Sequence, residues 1–480
     1  MLKRKFKFIL LFLLLTDVSY SFFQHLAKPL DGDMPAGILQ TSEVKQILND
    51  PFGIRVITRS EVRPDPNRFF AHWSFSNYFR TMPFFLQRFV DPINSIYLSC
   101  AIFKTLLQIF LIFLLVYYIS GTANILNYDF LFSAVLIAPL FQANGYESCM
   151  GIITSSITYT FFYALPMAFL LLLFIPFFKR TFYGKKKELN ILTMVLLLLI
   201  MVIISFSGPL ISPTILIVSA LLFISKWSNN FSRSTSSGLK TKLLDSIMQI
   251  PKYYFLFLFP LMSIALYSFY IGTFNSINTE SHVMFFERYS RLPTGIFEAF
   301  TNKIGFPILL LLIAINRCLI KWYYNNTEGN KILNLMKWIA IFIVIYIALL
   351  PLGGYRSYRP NTIRCDTIIP ITISLVLIYG LSTLFLIKNI VNKNRKWYVT
   401  LIIATSVIFT IADGPGFDKN SCEKDALRTI AASPDKIVYL QNDCTVMDWQ
   451  KITDPKNSEL KCRLLKYWGV IKEDKLYYQK

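Results

Sequence analysis

The residues best placed to do chemistry stand just beyond the first apolar run of this 480-residue chain, in His25-Leu26-Ala27-Lys28-Pro29-Leu30-Asp31-Gly32-Asp33-Met34-Pro35. Two carboxylates two positions apart, with glycine between them, can converge on one point in a turn. There they would bind a divalent cation or set one carboxylate as a general base. The same spacing also makes an ordinary Asp-Gly turn capped by Asp33. A second cluster, Gly353 to Asp366, holds Arg356, Arg359 and Arg364 together with Tyr355 and Tyr358. Guanidinium forks bind phosphate and pyrophosphate through paired hydrogen bonds. The competing reading pairs Arg364 with Asp366 and leaves the other arginines to lipid headgroups. A third cluster, Glu280, His282, Glu287, Arg288 and Arg291, is interleaved with Phe285, Phe286 and Tyr289. It reads as a lid or an interfacial helix, or more simply as a solvated loop.

The elements that must position these residues follow from composition. Hydrophobic residues make up 54% of the chain, more than a soluble domain can bury, so lipid must cover the excess. The net charge of +21 suggests a nucleic-acid partner, but no long basic arm, zinc-ligand spacing or RNA-binding aromatic motif accompanies it. The charge falls instead in short clusters between apolar runs, as the positive-inside rule produces. Those runs lie at 6–23, 96–119, 129–146, 151–178, 190–207, 209–225, 253–272, 304–320, 338–352, 368–387 and 398–412. They predict an all-α polytopic membrane protein of about eleven transmembrane helices.

Lys3-Arg4-Lys5 opens the first run like a signal peptide, yet Phe22 and Phe23 occupy the place where cleavage needs small residues, so the run reads as an uncleaved helix. Threading the runs alternately places Lys179–Lys187, Lys226–Lys252, Lys321–Lys337 and Lys388–Lys396 on the N-terminal side. That side is then the cytosol and the C-terminus lies outside. The runs 190–207 and 209–225 meet at Gly208-Pro209 and are either two crossings or a re-entrant hairpin; a hairpin would carry the later basic loops outside.

By this topology residues 24–95 form a long first extracytoplasmic loop within a multi-pass region, 1–412. Its Val44, Ile47 and Leu48 and its aromatic stretch Phe75, Tyr78, Phe79, Phe84, Phe85 and Phe89 suit helices lying in the interface, or else a folded loop with its own small core. Residues 413–480 form a small extracytoplasmic C-terminal domain whose core is tiny enough to need a disulfide among Cys422, Cys444 and Cys462. Cys149 and Cys365 fall on the same side. Inside the runs charged residues are few, Asp17, Lys104 and Arg317 chief among them, too few for a proton relay, and no internal repeat is present. The ionisable groups therefore point to chemistry or binding at the outer face.

On the position of Asp31-Gly32-Asp33 after the first helix, the long first loop and the arginine-rich later loop, the chain resembles the GT-C superfamily of polytopic glycosyltransferases. The resemblance implies a polyprenyl-phosphate-linked sugar donor, a glycan or lipid acceptor, and an inverting displacement. Asp31 or Asp33 would be the catalytic base, with any divalent cation held there, and Arg356, Arg359 and Arg364 would hold the donor phosphate. The small tail differs from the large soluble domain of oligosaccharyltransferase-like members, which favours polysaccharide or lipid decoration in the cell envelope over protein glycosylation. Membrane lipids are the expected surroundings, a bacterial inner membrane the expected site, and nucleic acid is not an expected partner. A polysaccharide polymerase or ligase is the runner-up, although such enzymes place their large outer loop late in the chain. A transporter or flippase of lipid-linked sugars is the non-enzymatic alternative, disfavoured by the scarcity of intramembrane charge. A topology reporter fused after Lys396 is expected to be active only in the cytosol, and one fused after Lys480 only outside; the same side for both would remove one helix from the count.

Overall fold

The computed structural model describes residues 2–141, 143, 150–184, 190–234, 238–276, 283–301, 305–324, 326–353, 361–390 and 392–480. Arg356, Arg359, Cys149, Glu280 and His282 lie outside them. Among the described residues nine helices are long and apolar enough to cross a membrane. They are α1 (Leu2–Leu26), α6 (Pro92–Ser120), α8 (Ile157–Phe182), α10 (Ile211–Arg233), α12 (Lys252–Gly272), α15 (Gly305–Tyr323), α16 (Thr327–Leu349), α17 (Ile369–Asn389) and α18 (Asn392–Ala412). Two shorter apolar helices, α7 (Tyr128–Ile137) and α9 (Ile191–Ser205), lie among them.

Local chemistry sets the helix ends. Asp91 starts α6 by accepting from the Asn94 N–H, Pro92 takes the first turn where no N–H is needed, and Gly121 closes the helix at φ +70°. The apolar run expected over 129–146 stops being helical at Leu140, because Pro139 lacks the N–H that would continue it. The run expected from 151 begins as a helix only at Ile157, where Ser156 Oγ accepts from the Tyr159 N–H, and it continues through Lys179 and Arg180 to Phe182. Hydropathy registers the apolar side chains but not these caps. Between α9 and α10 the chain turns at Gly208, φ +140°, a conformation that side chains rarely adopt.

The helix ends sort onto two faces. On one face Tyr183 donates to the carbonyls of Tyr118 and Ile119, Lys331 to that of Phe182, and Lys388 pairs with Asp129 at 2.6 Å. The opposite face carries residues 27–91 and the tail from Asp413. The first loop there folds as α2 (Met34–Leu39), α3 (Ser42–Leu48), α4 (Ile54–Arg59) and α5 (Phe69–Leu86); the tail folds as α19 (Ser421–Ala432), β1 (Ile437–Leu440), α20 (Glu459–Tyr467) and β2 (Leu476–Gln479), with β1 and β2 parallel.

Loop and tail share one apolar core: Met34, Phe75 and Phe79 pack with Leu427, Val446, Leu465 and Trp468. The buried Trp468 indole donates to the Phe79 carbonyl at 3.1 Å, and Gln87 donates back to the Trp468 carbonyl at 2.8 Å. Phe75 and Phe79 therefore face inward, while Phe84, Phe85 and Phe89 are exposed. Within the tail Cys422 and Cys444 are disulfide-bonded, and Cys462 is a buried thiol that burial pushes up to about 11. Cys365 is also disulfide-bonded.

The junction of tail and first loop turns on Glu423, which is buried and accepts from the Leu30 N–H (2.9 Å), the Tyr97 hydroxyl (2.7 Å) and the Met447 N–H (2.8 Å). Burial raises its carboxyl from 4.5 to about 7, against the pull of those donors. Because the folded protein then holds a proton that the unfolded chain releases near 4.5, this contribution is fully present below that pH and is lost as pH rises through about 7. Tail docking, read as protease resistance of residues beyond Asp413, is expected to weaken by about 3 kcal/mol between about pH 5 and about pH 8. Docking that strengthens over that interval would contradict the assignment.

Candidate functional site

Asp31 is only 4% exposed, and both of its oxygens are occupied. Oδ2 accepts from Ser156 Oγ at 2.8 Å and from the Thr158 N–H at 3.0 Å; Oδ1 accepts from Thr158 Oγ1 at 2.8 Å and from the Asp33 N–H at 3.1 Å. The buried Lys104 lies within electrostatic reach and donates to the Ser155 carbonyl beside these residues. A carboxylate met by four donors is held rather than presented. Asp33, in contrast, is exposed at the N-terminus of α2, where its Oδ1 receives Trp449 Nε1 at 3.4 Å. One carboxylate thus anchors the turn to the first residues of α8, and the other faces outward. Among the described residues no group of three or more His, Cys, Asp or Glu side chains converges as metal ligands.

Below this turn lies a cavity of about 480 Å³ at the ends of α10, α12 and α16. Its polar lining includes Asn67, Arg68, Tyr163, Asn275, Thr362 and Arg364. Most of the rest is apolar, including Leu216, Ile217, Leu266, Phe269 and Leu349. Leu266 and Phe269 on α12 are exposed.

Each cavity arginine is anchored by a carboxylate. Arg364 pairs with Asp366 at 2.9 Å, the pairing that competes with phosphate binding in the sequence. Arg68, 8% exposed, pairs with Asp65 at 3.1 Å, and Asp65 also accepts from Asn275 Nδ2 at 2.8 Å. The Nε atoms of both arginines are buried away from the cavity without a hydrogen-bond partner, so only the remaining guanidinium nitrogens can face a ligand. Two guanidinium groups lining one pocket favour an acceptor-rich ligand, and an anion most of all. Next to them His72 is buried edge-on against Phe162, and burial holds its imidazole below the ordinary range although Asp65 pulls it upward. His72 is then neutral at physiological pH.

Of the residues singled out by sequence, the structure brings Arg364 to the cavity and Asp31 and Asp33 to the turn beside it; Arg356 and Arg359 lie outside the described residues. The described part of the third cluster is a short helix, α13 (Phe285–Ser290), followed by α14 (Leu292–Thr301); Glu287 pairs with Arg291, and Phe285 and Phe286 are exposed.

Sequence reasoning missed Asp65, Asn67, Arg68, His72 and Tyr163. The run Arg63-Pro64-Asp65-Pro66-Asn67-Arg68 offered a signal in its two prolines around one carboxylate. Asp65 stands at φ +40°, a conformation costly for a residue with a side chain and retained where surrounding contacts fix it. Tyr163 belongs to a π-helical stretch, Thr160–Ala164, inside α8, a distortion that often marks functional positions. No periodicity in the sequence announces it.

Fold and site together define an α-helical multi-pass membrane protein with a two-arginine cavity at one face. Comparisons with family models, curated proteins and solved structures give no significant match. The two acidic residues are separable by stability. Asp31→Ala strands the Ser156 and Thr158 donors and leaves Lys104 uncompensated, and is expected to cost about 3 kcal/mol or more. Asp33→Asn, at an exposed position, is expected to stay within about 0.5 kcal/mol of the parent. Thermal unfolding of the detergent-solubilised chain measures both, and equal losses would refute the division.

Proposed function

We propose that the chain is a membrane glycosyltransferase that draws a sugar-bearing polyprenyl phosphate sideways from the bilayer and transfers the sugar to a glycan or lipid acceptor. The reading rests chiefly on one observation: a cavity lined largely by apolar residues of three membrane helices is also lined by two arginines, Arg68 and Arg364. A lipid tail would lie along Leu216, Leu266 and Phe269. The phosphate would lie against Arg68 and Arg364, with Arg356 and Arg359 of the same loop as further candidates. Guanidinium donors strengthen their contacts as the departing phosphate gains charge, which lowers the barrier to transfer.

Asp33 is the better base of the two carboxylates. It is exposed to an incoming hydroxyl, whereas the oxygens of Asp31 are taken up in holding the turn. Attack from the side opposite the phosphate inverts the anomeric centre. In this reading α7 and α9 join the nine longer helices as membrane crossings, the N-terminus is cytosolic, and the site faces away from the cytosol of a bacterial inner membrane.

Transfer of labelled sugar from polyprenyl-phosphate donors, measured with the purified chain in nanodiscs, tests this. Asp33→Asn is expected to lower kcat by about two to four orders of magnitude with little change in donor affinity. Arg68→Ala and Arg364→Ala are expected to raise the donor KM and lower kcat together, and Arg364→Lys to restore part of the loss, since a point charge cannot reproduce the fork. Labelled lipid that crosses the bilayer without turnover would favour a flippase and overturn the assignment.

A further inference from the structure

The cavity does not end at the arginines. Tyr163, which lines it, meets Tyr159 one turn earlier on α8 with ring centroids 5.7 Å apart. Tyr159 in turn lies nearly parallel to the tail residue Trp449, 5.8 Å away at 27°. The Trp449 indole then reaches Asp33 through Nε1. An aromatic path thus climbs from the cavity to an exposed carboxylate in two ring steps, a span on the scale of one phosphate and one sugar ring.

Trp449 is 51% exposed, yet its loop is fixed. Asp448 accepts from the Trp449 and Gln450 backbone N–H groups and pairs with Lys461 at 2.6 Å. The preceding Met447 holds φ +50° with its N–H on Glu423. The close seating of this loop requires Gly32: a β-carbon there would stand 2.8 Å from Trp449 Cδ1 and 3.0 Å from its backbone nitrogen. An exposed indole held on a rigid backbone, at the cost of a glycine between two aspartates, has the form of a preorganised binding surface rather than of core packing. A half-exposed aromatic face suits a pyranose, whose C–H face buries against the ring, and a carboxylate at its edge is placed to meet the acceptor hydroxyl.

We infer that Trp449 and Tyr159 form the platform on which the sugar of the lipid-linked donor rests, with Asp33 at its edge, so that the C-terminal tail supplies part of the sugar site. This rests on the lipid-phosphate reading of the cavity. The test is equilibrium binding to the full chain in nanodiscs, comparing decaprenyl phosphate with the glucose, mannose, galactose and arabinose derivatives of the same lipid. The parent is expected to bind at least one derivative about tenfold more tightly than the sugar-free lipid. Trp449→Ala should abolish that preference without changing affinity for the sugar-free lipid. Trp449→Phe should keep part of the preference, and Gly32→Ala should reduce it by displacing the ring; protease resistance of the tail confirms that each variant is folded.

Equal affinity for all five lipids, or a Trp449→Ala loss shared by sugar-free and sugar-bearing lipid, would overturn the platform and leave the phosphate reading standing. Failure of every lipid to bind, in parent and variants alike, would overturn both.

Discussion

A carboxylate taken out of water costs several kcal/mol unless donors replace the water it loses, and Asp31 meets that demand with groups from distant parts of the chain. Ser156 and Thr158, which open α8, supply three of its donors, and Lys104 on α6 answers its charge. Through this one side chain the segment leaving α1 is tied to two membrane helices. Glu423 repeats the arrangement from the tail side, drawing the Leu30 N–H, the Tyr97 hydroxyl and the Met447 N–H onto one carboxylate. The turn Asp31-Gly32-Asp33 is therefore clamped from below by the helix bundle and from above by the tail, and only Asp33 is left to face outward.

The same coupling ties the cavity to the tail although they are far apart in sequence. α8 starts at the Asp31 anchor and passes through a π-helical stretch that brings Phe162 against Arg68 and His72 and Tyr163 into the cavity. Asp65, Arg68 and Asn275 join the first loop to the end of α12 through buried polar contacts. Each contact is costly to leave half made, so the polar groups fix one arrangement of elements that apolar packing alone would allow to slide.

Much of this architecture was legible in the sequence because lipid imposes a simple rule: a segment that crosses must be apolar over its length and must satisfy its own backbone. Each of the nine long helices overlaps a run visible by hydropathy and extends past it at one end or both, and the basic clusters mark one face. Errors came where a single residue overrode the average, as Pro139 did in ending α7 and Ser156 in starting α8. The candidate site was legible only in part. Asp31, Asp33 and Arg364 stood out by residue type, but whether a carboxylate is sequestered or presented depends on donors 125 positions away, and spacing carries no such information.

Composition and charge placement by themselves determined that the chain is helical, lies in a membrane, and gathers its ionisable groups at the helix ends. Those are properties of segments, set by the solvent each segment tolerates. Only the tertiary structure decided which groups act together. It buried Asp31 and exposed Asp33, joined Arg68 of the first loop to Arg364 of a late one around an apolar cavity, and seated the tail's Trp449 on Gly32. Such pairings arise because buried polar groups must find partners wherever the fold brings them, and nothing local in the chain names the partner.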